Sequence, residues 1–527
     1  GLGDVYKRQM LCVIATSFTG CFGRKKSGEA FSMPIMDEPT SLDPQIADSN
    51  SEKLVAANCY EGLVRIMADG TIGKGVATDW NISDDGLTYT FKLRNNSHWA
   101  MFSGHKAVLG ENYEDTFDIT VKAEDFKFGI ERTLSEQTGS ADAPLFSAVK
   151  SISTPDDFTI VFNLSYADDN FLYALTNPGA MPCDEEFFNL TNGKYGLDAK
   201  YLLCNGPFHV SKWTEKTSVK LAKNNEYNGE SSVSPSSVTF YINNDDSEVA
   251  DKMNSVTYDV AFLSSSQFSS IENKKDLNSV AVQNVTYSFI FNQNDNNYRN
   301  KNMRLAFCRS CDTSSLFDSQ SDISKADGIV PPSCKIGGED YRNGNAAELL
   351  SYDETLAKKN FNDALLDLGS SSVETTILCT EQYEPFVKQM VQKLQKTLGV
   401  KFVSTVKVVS ESDLEAAVND GNYSVAFYPF KAKSSFAGEI IEGFDQNNIF
   451  GYESDVLSQK IRNIKNNSGS LEGERSAVAD AENYLVSEAV IMPVFYENSY
   501  FVTSKKTSGI YFYSSADNVC FINAKKS

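Results

Sequence analysis

The chain has 527 residues, of which 41% are hydrophobic and 22% are charged, values that are ordinary for globular proteins. It contains no run of about 20 apolar residues, the length that a helix needs to cross a bilayer. Its formal net charge of −22 argues against a nucleic-acid partner, because phosphate binding needs clustered lysine and arginine.

The first 21 residues have the pattern of a targeting segment. Residues 1–9 lack an initiator Met and are set aside from fold reasoning, and residues 10–21 form a short apolar run that ends in small residues, as the back half of a secretory signal peptide does. The sequence Phe18-Thr19-Gly20-Cys21 resembles a bacterial lipobox, which predicts lipidation of Cys21 and a membrane anchor. Residues 22–29, which contain the polar tract 23–29, are predicted to be a tether. The alternative is a buried amino-terminal strand with a chance cysteine.

The folded body is predicted to begin with an apolar strand at residues 30–35. The prolines in the segment 39–44 that follows prevent continuous sheet there. Residues 49–63 carry apolar side chains three and four positions apart, which predicts a helix capped by Asn50 or Ser51.

Residues 75–94 have the alternating pattern of a hairpin. Apolar side chains at Leu87, Tyr89, Phe91 and Leu93 alternate with polar ones, which predicts a strand with one buried face. Asp84-Asp85-Gly86 supplies the turn, since glycine tolerates positive φ without steric cost.

Strands and helices alternate through the rest of the chain, which predicts an α/β fold with parallel strand pairs covered by helices. Strand 238–242, helix 248–253 and strand 259–263 form a β-α-β unit, which predicts a parallel pair. The later predicted elements are a strand pair at 149–164, strands at 375–378, 400–409, 424–428 and 489–496, and a helix at 384–398.

Setting aside Cys12 and Cys21 leaves eight of the ten cysteines, whose pairing cannot be deduced from sequence. Cys308 and Cys311 have C-x-x-C spacing but lie in a helical pattern without a second such motif, so buried free thiols are favoured over a metal site. The three histidines, His98, His105 and His209, are not spaced as metal ligands. No hydrolase or nucleotide-binding motif is present, so no enzyme, metal or cofactor is predicted.

Several blocks of sequence resemble one family, the extracytoplasmic solute-binding proteins of oligopeptide and dipeptide ABC transporters (family 5). The resemblance covers nearly all of residues 29–527 and is weakest around residue 430 and at 100–119, where a longer insert, predicted to be a surface elaboration, replaces a short loop. The blocks are Glu38-Pro39-Thr40-Ser41-Leu42-Asp43-Pro44, Tyr60-Glu61-Gly62-Leu63-Val64-Arg65, Ala77-Thr78-Asp79-Trp80 with residues 83–94, Asn205-Gly206-Pro207-Phe208, Lys223-Asn224-Asn225-Glu226-Tyr227 and residues 489–496.

This resemblance implies a periplasmic-binding-protein-like fold of cluster C type, with two lobes joined by a two-strand hinge. Lobe I would span residues 30–285, with an extra subdomain at about 59–164. Lobe II would span residues 286–487, and residues 488–527 would return to complete lobe I. A solute bound between the lobes would then shift the population toward a closed form.

The resemblance also implies a function without catalysis. The chain is expected to be the substrate-binding component of a peptide ABC importer, which captures oligopeptides by hinge closure and delivers them to the permease subunits. It is expected to be a monomer held by its lipid anchor on the outer face of the cytoplasmic membrane. The alternative is a binding protein of the same fold for an oligosaccharide or another non-peptide solute.

The implied ligand-binding residues fall into two groups. Cleft-edge positions of the family correspond to Ser49, Asn50, Phe289 and Asn292, and the second-lobe stretch that normally carries an acidic anchor for the peptide amine corresponds to Phe427, Tyr428, Phe430 and Lys431. This stretch has no Asp, and a lysine cannot neutralise an ammonium group. Either the amine is bound elsewhere or the ligand is not a free peptide.

Overall fold

The computed structural model describes residues 28–67, 71–229, 231–313, 322–431, 436–445, 448–513 and 519–527, without the side chains of residues 114 and 115. The predicted signal segment with Cys21, and the tether except for its last two residues, lie outside the described residues. Within the described ranges no helix combines the length and the apolar character needed to cross a membrane.

The strands follow one another along the whole described chain. In chain order they are β1 (Ala30–Ile35), β2 (Val64–Ile66), β3 (Ile72–Lys74), β4 (Ala77–Ile82), β5 (Thr88–Leu93), β6 (Val149–Asp156), β7 (Thr159–Leu164), β8 (Phe208–Thr214), β9 (Ser218–Lys223), β10 (Ser237–Ile242), β11 (Val260–Ser264), β12 (Leu277–Phe291), β13 (Ile323–Lys325), β14 (Lys335–Ile336), β15 (Glu339–Asp340), β16 (Val373–Cys379), β17 (Phe402–Val408), β18 (Val425–Lys431), β19 (Ile491–Ser504), β20 (Thr507–Ser508), β21 (Tyr511–Phe512), β22 (Val519–Cys520) and β23 (Lys525–Lys526).

The helices lie between these strands. They are α1 (Asn50–Cys59), α2 (Lys106–Leu109), α3 (Tyr113–Thr116), α4 (Ala123–Leu134), α5 (Phe171–Ala174), α6 (Glu185–Leu190), α7 (Asp246–Asn254), α8 (Ser265–Ser270), α9 (Asn296–Arg299), α10 (Lys301–Ser310), α11 (Glu354–Asp367), α12 (Glu384–Leu398), α13 (Glu411–Asn419), α14 (Ala437–Glu442), α15 (Asp455–Asn466) and α16 (Leu471–Ser487). Short 3₁₀ turns occur at Pro44–Ile46, Ser103–His105, Ala143–Phe146, Pro178–Ala180, Ala199–Tyr201, Lys274–Asp276 and Glu381–Tyr383.

The first lobe is built on a four-stranded sheet in the order β1-β10-β9-β8. β1 runs parallel to β10, and the other neighbours are antiparallel. The end of the chain packs into the same core, because the ring of Phe521 lies 6.2 Å from that of Phe31 and 6.1 Å from that of Phe240. The last residues of the chain therefore belong to the lobe in which the described fold begins.

A second sheet of the first lobe has the order β4-β5-β7-β6 and is antiparallel throughout. The predicted hairpin is confirmed: Gly86 adopts a φ of +69° at the turn between β4 and β5. Tyr89, Phe91 and Leu93 are buried while Lys92 is exposed, as the alternation of apolar and polar side chains predicts.

The second lobe lies around the larger sheet, whose order is β11-β19-β12-β18-β16-β17, with β13 on β19. β16 is parallel to both β17 and β18. Apolar cores cover both of its faces, since Phe289 and Ile290, which are neighbours on β12, are fully buried in different clusters. The predicted helix at 384–398 is confirmed as α12, which buries Met390 and Leu394.

Two long antiparallel strands, β12 and β19, connect the lobes. The first-lobe half of β19 pairs with β11 on one side and with β12 on the other, and the second-lobe half of β12 pairs with β18. The pairing register shifts between Val282 and Val285, where the side-chain amide of Gln283 donates to Asn498 Oδ1 at 2.9 Å. A β-bulge of this kind bends a strand locally, so this is the point at which the strands can act as a hinge. The predicted lobe boundaries stay a prediction.

The predicted β-α-β unit is wrong in its strand pairing, because its two strands do not form a parallel pair. Its elements exist as β10, α7 and β11, but β10 and β11 lie in different sheets. β10 pairs with β1, and β11 pairs antiparallel with β19. A connecting helix predicts a parallel pair only when both strands enter one sheet, and here β11 pairs with a strand that comes more than 200 residues later in the chain.

Candidate functional site

A cavity of about 560 Å³ lies between the two lobes, within the range of roughly 300–1,000 Å³ that is usual for small-ligand sites. Helix α1 and the segment around Tyr173 line it from the first lobe, and Glu439, Glu442 and Glu474 line it from the second. Tyr511 and Tyr513 of the carboxyl-terminal segment complete the wall. A solute in this cavity would contact both lobes.

A capping box at its amino end positions helix α1 beside the cavity. Ser49 Oγ accepts from the backbone N–H of Glu52 at 3.2 Å, and the Glu52 carboxylate accepts from the backbone N–H of Ser49 at 3.2 Å. Such a cap satisfies two backbone groups that the first helical turn leaves unpaired. Leu54 and Val55 then enter the core, while Lys53 and Ala57 line the cavity.

A buried network holds the segment that follows α1. Glu61 is ion-paired with Arg94 and accepts a hydrogen bond from the Tyr227 hydroxyl at 2.9 Å. Asn205 clamps the Glu61 backbone, accepting from its N–H at 3.0 Å and donating to its carbonyl at 2.8 Å. Burial raises the pKa of Tyr227, and the adjacent Glu61 carboxylate raises it further. The sequence blocks that carry the family resemblance therefore fix this wall of the cavity.

More carboxylates than cations line the cavity. The carboxylates belong to Asp48, Glu61, Asp142, Asp168, Glu439, Glu442 and Glu474, and the cations to Lys53, Arg65, Lys335 and Lys465. An acidic lining raises the local concentration of positively charged solutes.

Three of these carboxylates, Asp168, Glu442 and Glu474, influence one another across the lobe boundary; we refer to them as the carboxylate cluster. Burial raises the pKa of Asp168 to about 6 and that of Glu474 to about 8. The negative charges of Asp168 and Glu442 also raise the Glu474 pKa, and burial raises that of Glu442, against the opposing effect of Lys465 at 3.9 Å. A ligand ammonium group here would relieve this repulsion.

Seven aromatic residues form part of the cavity lining, which is called the aromatic wall here. Its aromatic residues are Tyr60, Tyr166, Tyr173, Tyr227, Phe436, Tyr511 and Tyr513. Such rings offer flat apolar surface to ligand side chains, and each tyrosine also carries a hydroxyl for hydrogen bonding.

None of the eight residues predicted for ligand binding is among the described residues that line this cavity. Ser49 caps α1, and Asn50 is exposed beside it. Phe289 and Phe427 are buried in the second-lobe core with their rings 4.9 Å apart. Asn292 is also buried, and its amide donates to two backbone carbonyl groups at 2.8 and 2.7 Å.

The other three predicted residues lie along β18. Tyr428 packs against Phe430, and the ring of Phe430 stacks on those of Phe444 and Phe450, each at 5.8 Å. Lys431 is exposed at the end of the strand. The structure thus brings Phe289 near Phe427 and Tyr428 near Phe430, and a role of the eight in ligand binding stays a prediction.

The carboxylate cluster was missed at the sequence level because its members come from distant segments that only the folded lobes bring together. The one local signal is the run Asp168-Asp169-Asn170, which precedes α5. Glu442 and Glu474 lie on helices that carry other acidic residues, and nothing in the sequence around them distinguishes them from solvated surface charges.

Among the described residues, no three or more His, Cys, Asp or Glu side chains come together as metal ligands would. Cys308 and Cys311 lie buried in the second-lobe core, and burial raises the pKa of the Cys308 thiol to about 12. The prediction that these two are buried thiols is confirmed.

The sequence and the fold of this chain were compared with those of known proteins. The model of the bacterial extracellular solute-binding proteins, family 5 (middle region), matches residues 71–450. The dipeptide-binding protein DppE of Bacillus subtilis is 24% identical over 497 residues, which cover 90% of this chain and 88% of that protein. Peptide-bound OppA of Listeria monocytogenes aligns with a TM-score of 0.74 at 20% identity, covering 95% of this chain and all of the other (100%). The dipeptide-binding protein of Pseudoalteromonas sp. SM9913, in complex with Met-Leu, gives 0.75 at 18% identity, with coverage of 95% and 100%.

Proposed function

Because the chain belongs to family 5 of the bacterial extracellular solute-binding proteins, we propose that it is the peptide-binding component of an ABC importer. Proteins of this family bind solutes outside the cytoplasm, and the similar protein DppE is named for dipeptide binding. The observation that carries the proposal is the inter-lobe cavity, whose walls come from both lobes.

In this proposal the ligand holds the lobes together. A peptide that touches α1 on one lobe and α14 on the other stabilises the closed arrangement more than the open one, so binding shifts the population toward closure. The β12 and β19 strands bend at the bulge near Gln283 as the lobes close. The ligand leaves unaltered when the permease opens the lobes.

The carboxylate cluster supplies the cationic end of the peptide with a partner. The second-lobe stretch in which the family places its acidic anchor carries Lys431 here, at an exposed strand end. Asp168, Glu442 and Glu474 line the cavity instead. Their ionised forms repel one another, so an ammonium group bound between them lowers that repulsion and favours their ionisation. The aromatic wall then receives the ligand side chains.

The location and the partners follow from the same proposal. Cys21 carries a lipid anchor that keeps the protein on the outer face of the cytoplasmic membrane, as the lipobox-like Phe18-Thr19-Gly20-Cys21 indicates. The protein acts as a monomer that docks on the permease subunits of the importer.

One observation favours a second candidate, an oligosaccharide ligand. Six tyrosines line the cavity: Tyr60, Tyr166, Tyr173, Tyr227, Tyr511 and Tyr513. Their faces can stack on sugar rings and their hydroxyls can bond sugar hydroxyl groups.

A thermal-shift screen distinguishes the two candidates. Purified protein is heated with mixed tri- to hexapeptides, with cello-oligosaccharides, and alone. We expect the peptides to raise the Tm, because a ligand at 100 times its Kd stabilises the native state by about 2.7 kcal/mol. Stabilisation by the oligosaccharides and by no peptide would contradict the peptide assignment.

A further inference from the structure

One short segment of the first lobe lies beside the cavity and contacts the second lobe. This segment, residues 167–170, is called the latch here. The backbone N–H of Asp169 donates to the carbonyl of Ser468 at 2.6 Å, and the Ser468 hydroxyl donates to the carbonyl of Ala167 at 2.7 Å. The first hydrogen bond joins the main chains of the two lobes directly, and the second joins them through the side chain of Ser468.

Asn170 makes the most extensive contact of the latch. Its amide nitrogen donates to both carboxylate oxygens of Glu474, at 2.9 and 2.8 Å. Its amide oxygen accepts from the backbone N–H of Gly337 at 3.1 Å. One first-lobe side chain therefore bridges two separate segments of the second lobe, helix α16 and the turn after β14.

Small residues allow the lobes to approach at this point. A Cβ atom on Gly469 would lie only 2.8 Å from the Cβ of Ala167, and one on Gly338 would clash with the hydroxyl of Tyr173. The backbone of Gly338 also has a φ of +82°, whereas Gly469 has no such conformational requirement. A larger side chain at 469 would therefore act only as a wedge between the lobes.

The latch brings several acidic groups together as it closes. Glu474 is fully buried and faces Asp168 and Asp169 of the latch and Glu442 of α14. Lys465 lies 3.9 Å from Glu442 and lowers its pKa. Burial raises the pKa of Asp169, against the opposing effect of the backbone N–H of Leu471 at the start of α16, where the helix dipole favours a negative charge.

We propose that residues 167–170 form a latch that holds the lobes closed through Asn170, and that the charge state of Glu474 sets the strength of this latch. Asn170 is a positioning residue, since it contacts the second lobe and sets the closed geometry. The consequence for ligand residence rests on the proposed function, whereas the latch itself is testable without any ligand.

Burial and the surrounding carboxylates raise the pKa of Glu474 from 4.5 to about 8 in the closed form. Below about pH 4.5 this group is protonated whether the latch is closed or open. Between that pH and about 8 the closed form holds a proton that the open form releases, so the closed form loses stability as pH rises through this window. Above about pH 8 Glu474 is ionised in both forms, and the closed form has lost all of this contribution to its stability.

Hydrogen exchange of two backbone amides measures how often the latch opens in the ligand-free protein. The amides of Asp169 and Gly337 donate across the lobe boundary, so their exchange requires the lobes to separate. We expect Asn170→Ala to speed the exchange of Asp169 about tenfold, and Gly469→Val to act in the same direction. Asn163→Ala is the matched control, because the Asn163 amide donates to Ser151 within the β4-β5-β7-β6 sheet.

Two results would overturn the latch: free exchange of the Asp169 amide in the unmodified protein, or exchange in Asn170→Ala that stays within twofold of the unmodified rate.

Glu474→Gln tests the charge separately, because glutamine keeps an oxygen for the Asn170 amide and removes the ionised group. At pH 8.5 we expect the Asp169 amide to exchange about threefold more slowly in this variant than in the unmodified protein, after both rates are corrected for the intrinsic exchange rate. At pH 6 we expect a smaller difference. Unchanged or faster exchange in Glu474→Gln at pH 8.5 would overturn the coupling to charge.

A kinetic measurement then links the latch to ligand capture. If a peptide that binds is found, Asn170→Ala is expected to raise its dissociation rate about tenfold and to change the association rate less. If no peptide binds, the proposed function fails while the exchange experiment still decides the latch. An unchanged dissociation rate alongside faster amide exchange would overturn the role of the latch in retaining ligand.

Discussion

Replacing Glu482 with alanine is expected to lower the free energy of unfolding of the second lobe by about 3–5 kcal/mol. The Glu482 carboxylate is buried and ion-paired with Arg342. It also accepts from the backbone N–H groups of Ile329 and Val330, at 2.6 and 2.9 Å, and from the Tyr341 hydroxyl at 3.0 Å. Truncation leaves the Arg342 guanidinium buried without its counter-charge and these donors without an acceptor.

Urea denaturation monitored by circular dichroism measures this effect. Asp363→Ala is the control, because Asp363 forms an exposed i,i+4 ion pair with Lys359 on α11 at 2.6 Å, and such pairs contribute less than about 0.5 kcal/mol. A loss below 1 kcal/mol in Glu482→Ala, or a loss no larger than that of the control, would contradict the assignment of this network as a main support of the second lobe.

Removing the charge of Asp168 is expected to weaken the binding of a peptide with a free amino terminus about 30-fold, equivalent to about 2 kcal/mol. Asn replaces Asp with nearly the same shape and keeps the oxygen that accepts from the backbone N–H of Asn170 at 2.9 Å. What is lost is the attraction to the ligand ammonium, which at 4 Å and an effective dielectric constant of 20 is worth at most about 4 kcal/mol.

A thermodynamic cycle isolates the attraction between the Asp168 carboxylate and the ligand ammonium group. Isothermal titration calorimetry compares a free and an amino-terminally acetylated form of one peptide, each with the unmodified protein and with Asp168→Asn. We expect the substitution to weaken the free form alone, because acetylation already removes the ligand charge. Asp79→Asn, on strand β4 outside the cavity, is the control. Equal weakening of both peptide forms would show that Asp168 acts through structure rather than through charge.

Local elements of this fold could be predicted because short-range patterns determine them. The alternation at residues 87–93 predicted a strand with Tyr89 and Phe91 buried, and the spacing at 384–398 predicted α12; both agree with the structure. Strand pairing could not be predicted in the same way. The partner of β11 is β19, at the other end of the chain, and no pattern within residues 238–263 carries that information.

The candidate site was less predictable than the fold. The resemblance predicted that Phe427, Tyr428, Phe430 and Lys431 contact the ligand, whereas Phe427 lies in the second-lobe core. The members of the carboxylate cluster come from three segments, at 168, 442 and 474, whose proximity depends on how the two lobes meet. Such a cluster leaves no periodicity or spacing in the sequence, so only the folded lobes reveal it.

Native mass spectrometry tests the central claim most directly, because it shows both whether the cavity captures a ligand and whether that ligand is changed. The purified protein is incubated for several hours with a defined mixture of tri- to hexapeptides and is then sprayed under native conditions. The account predicts one peptide per chain, with each released peptide at its original mass. Absence of any peptide adduct, or release of hydrolysed peptides, would contradict it.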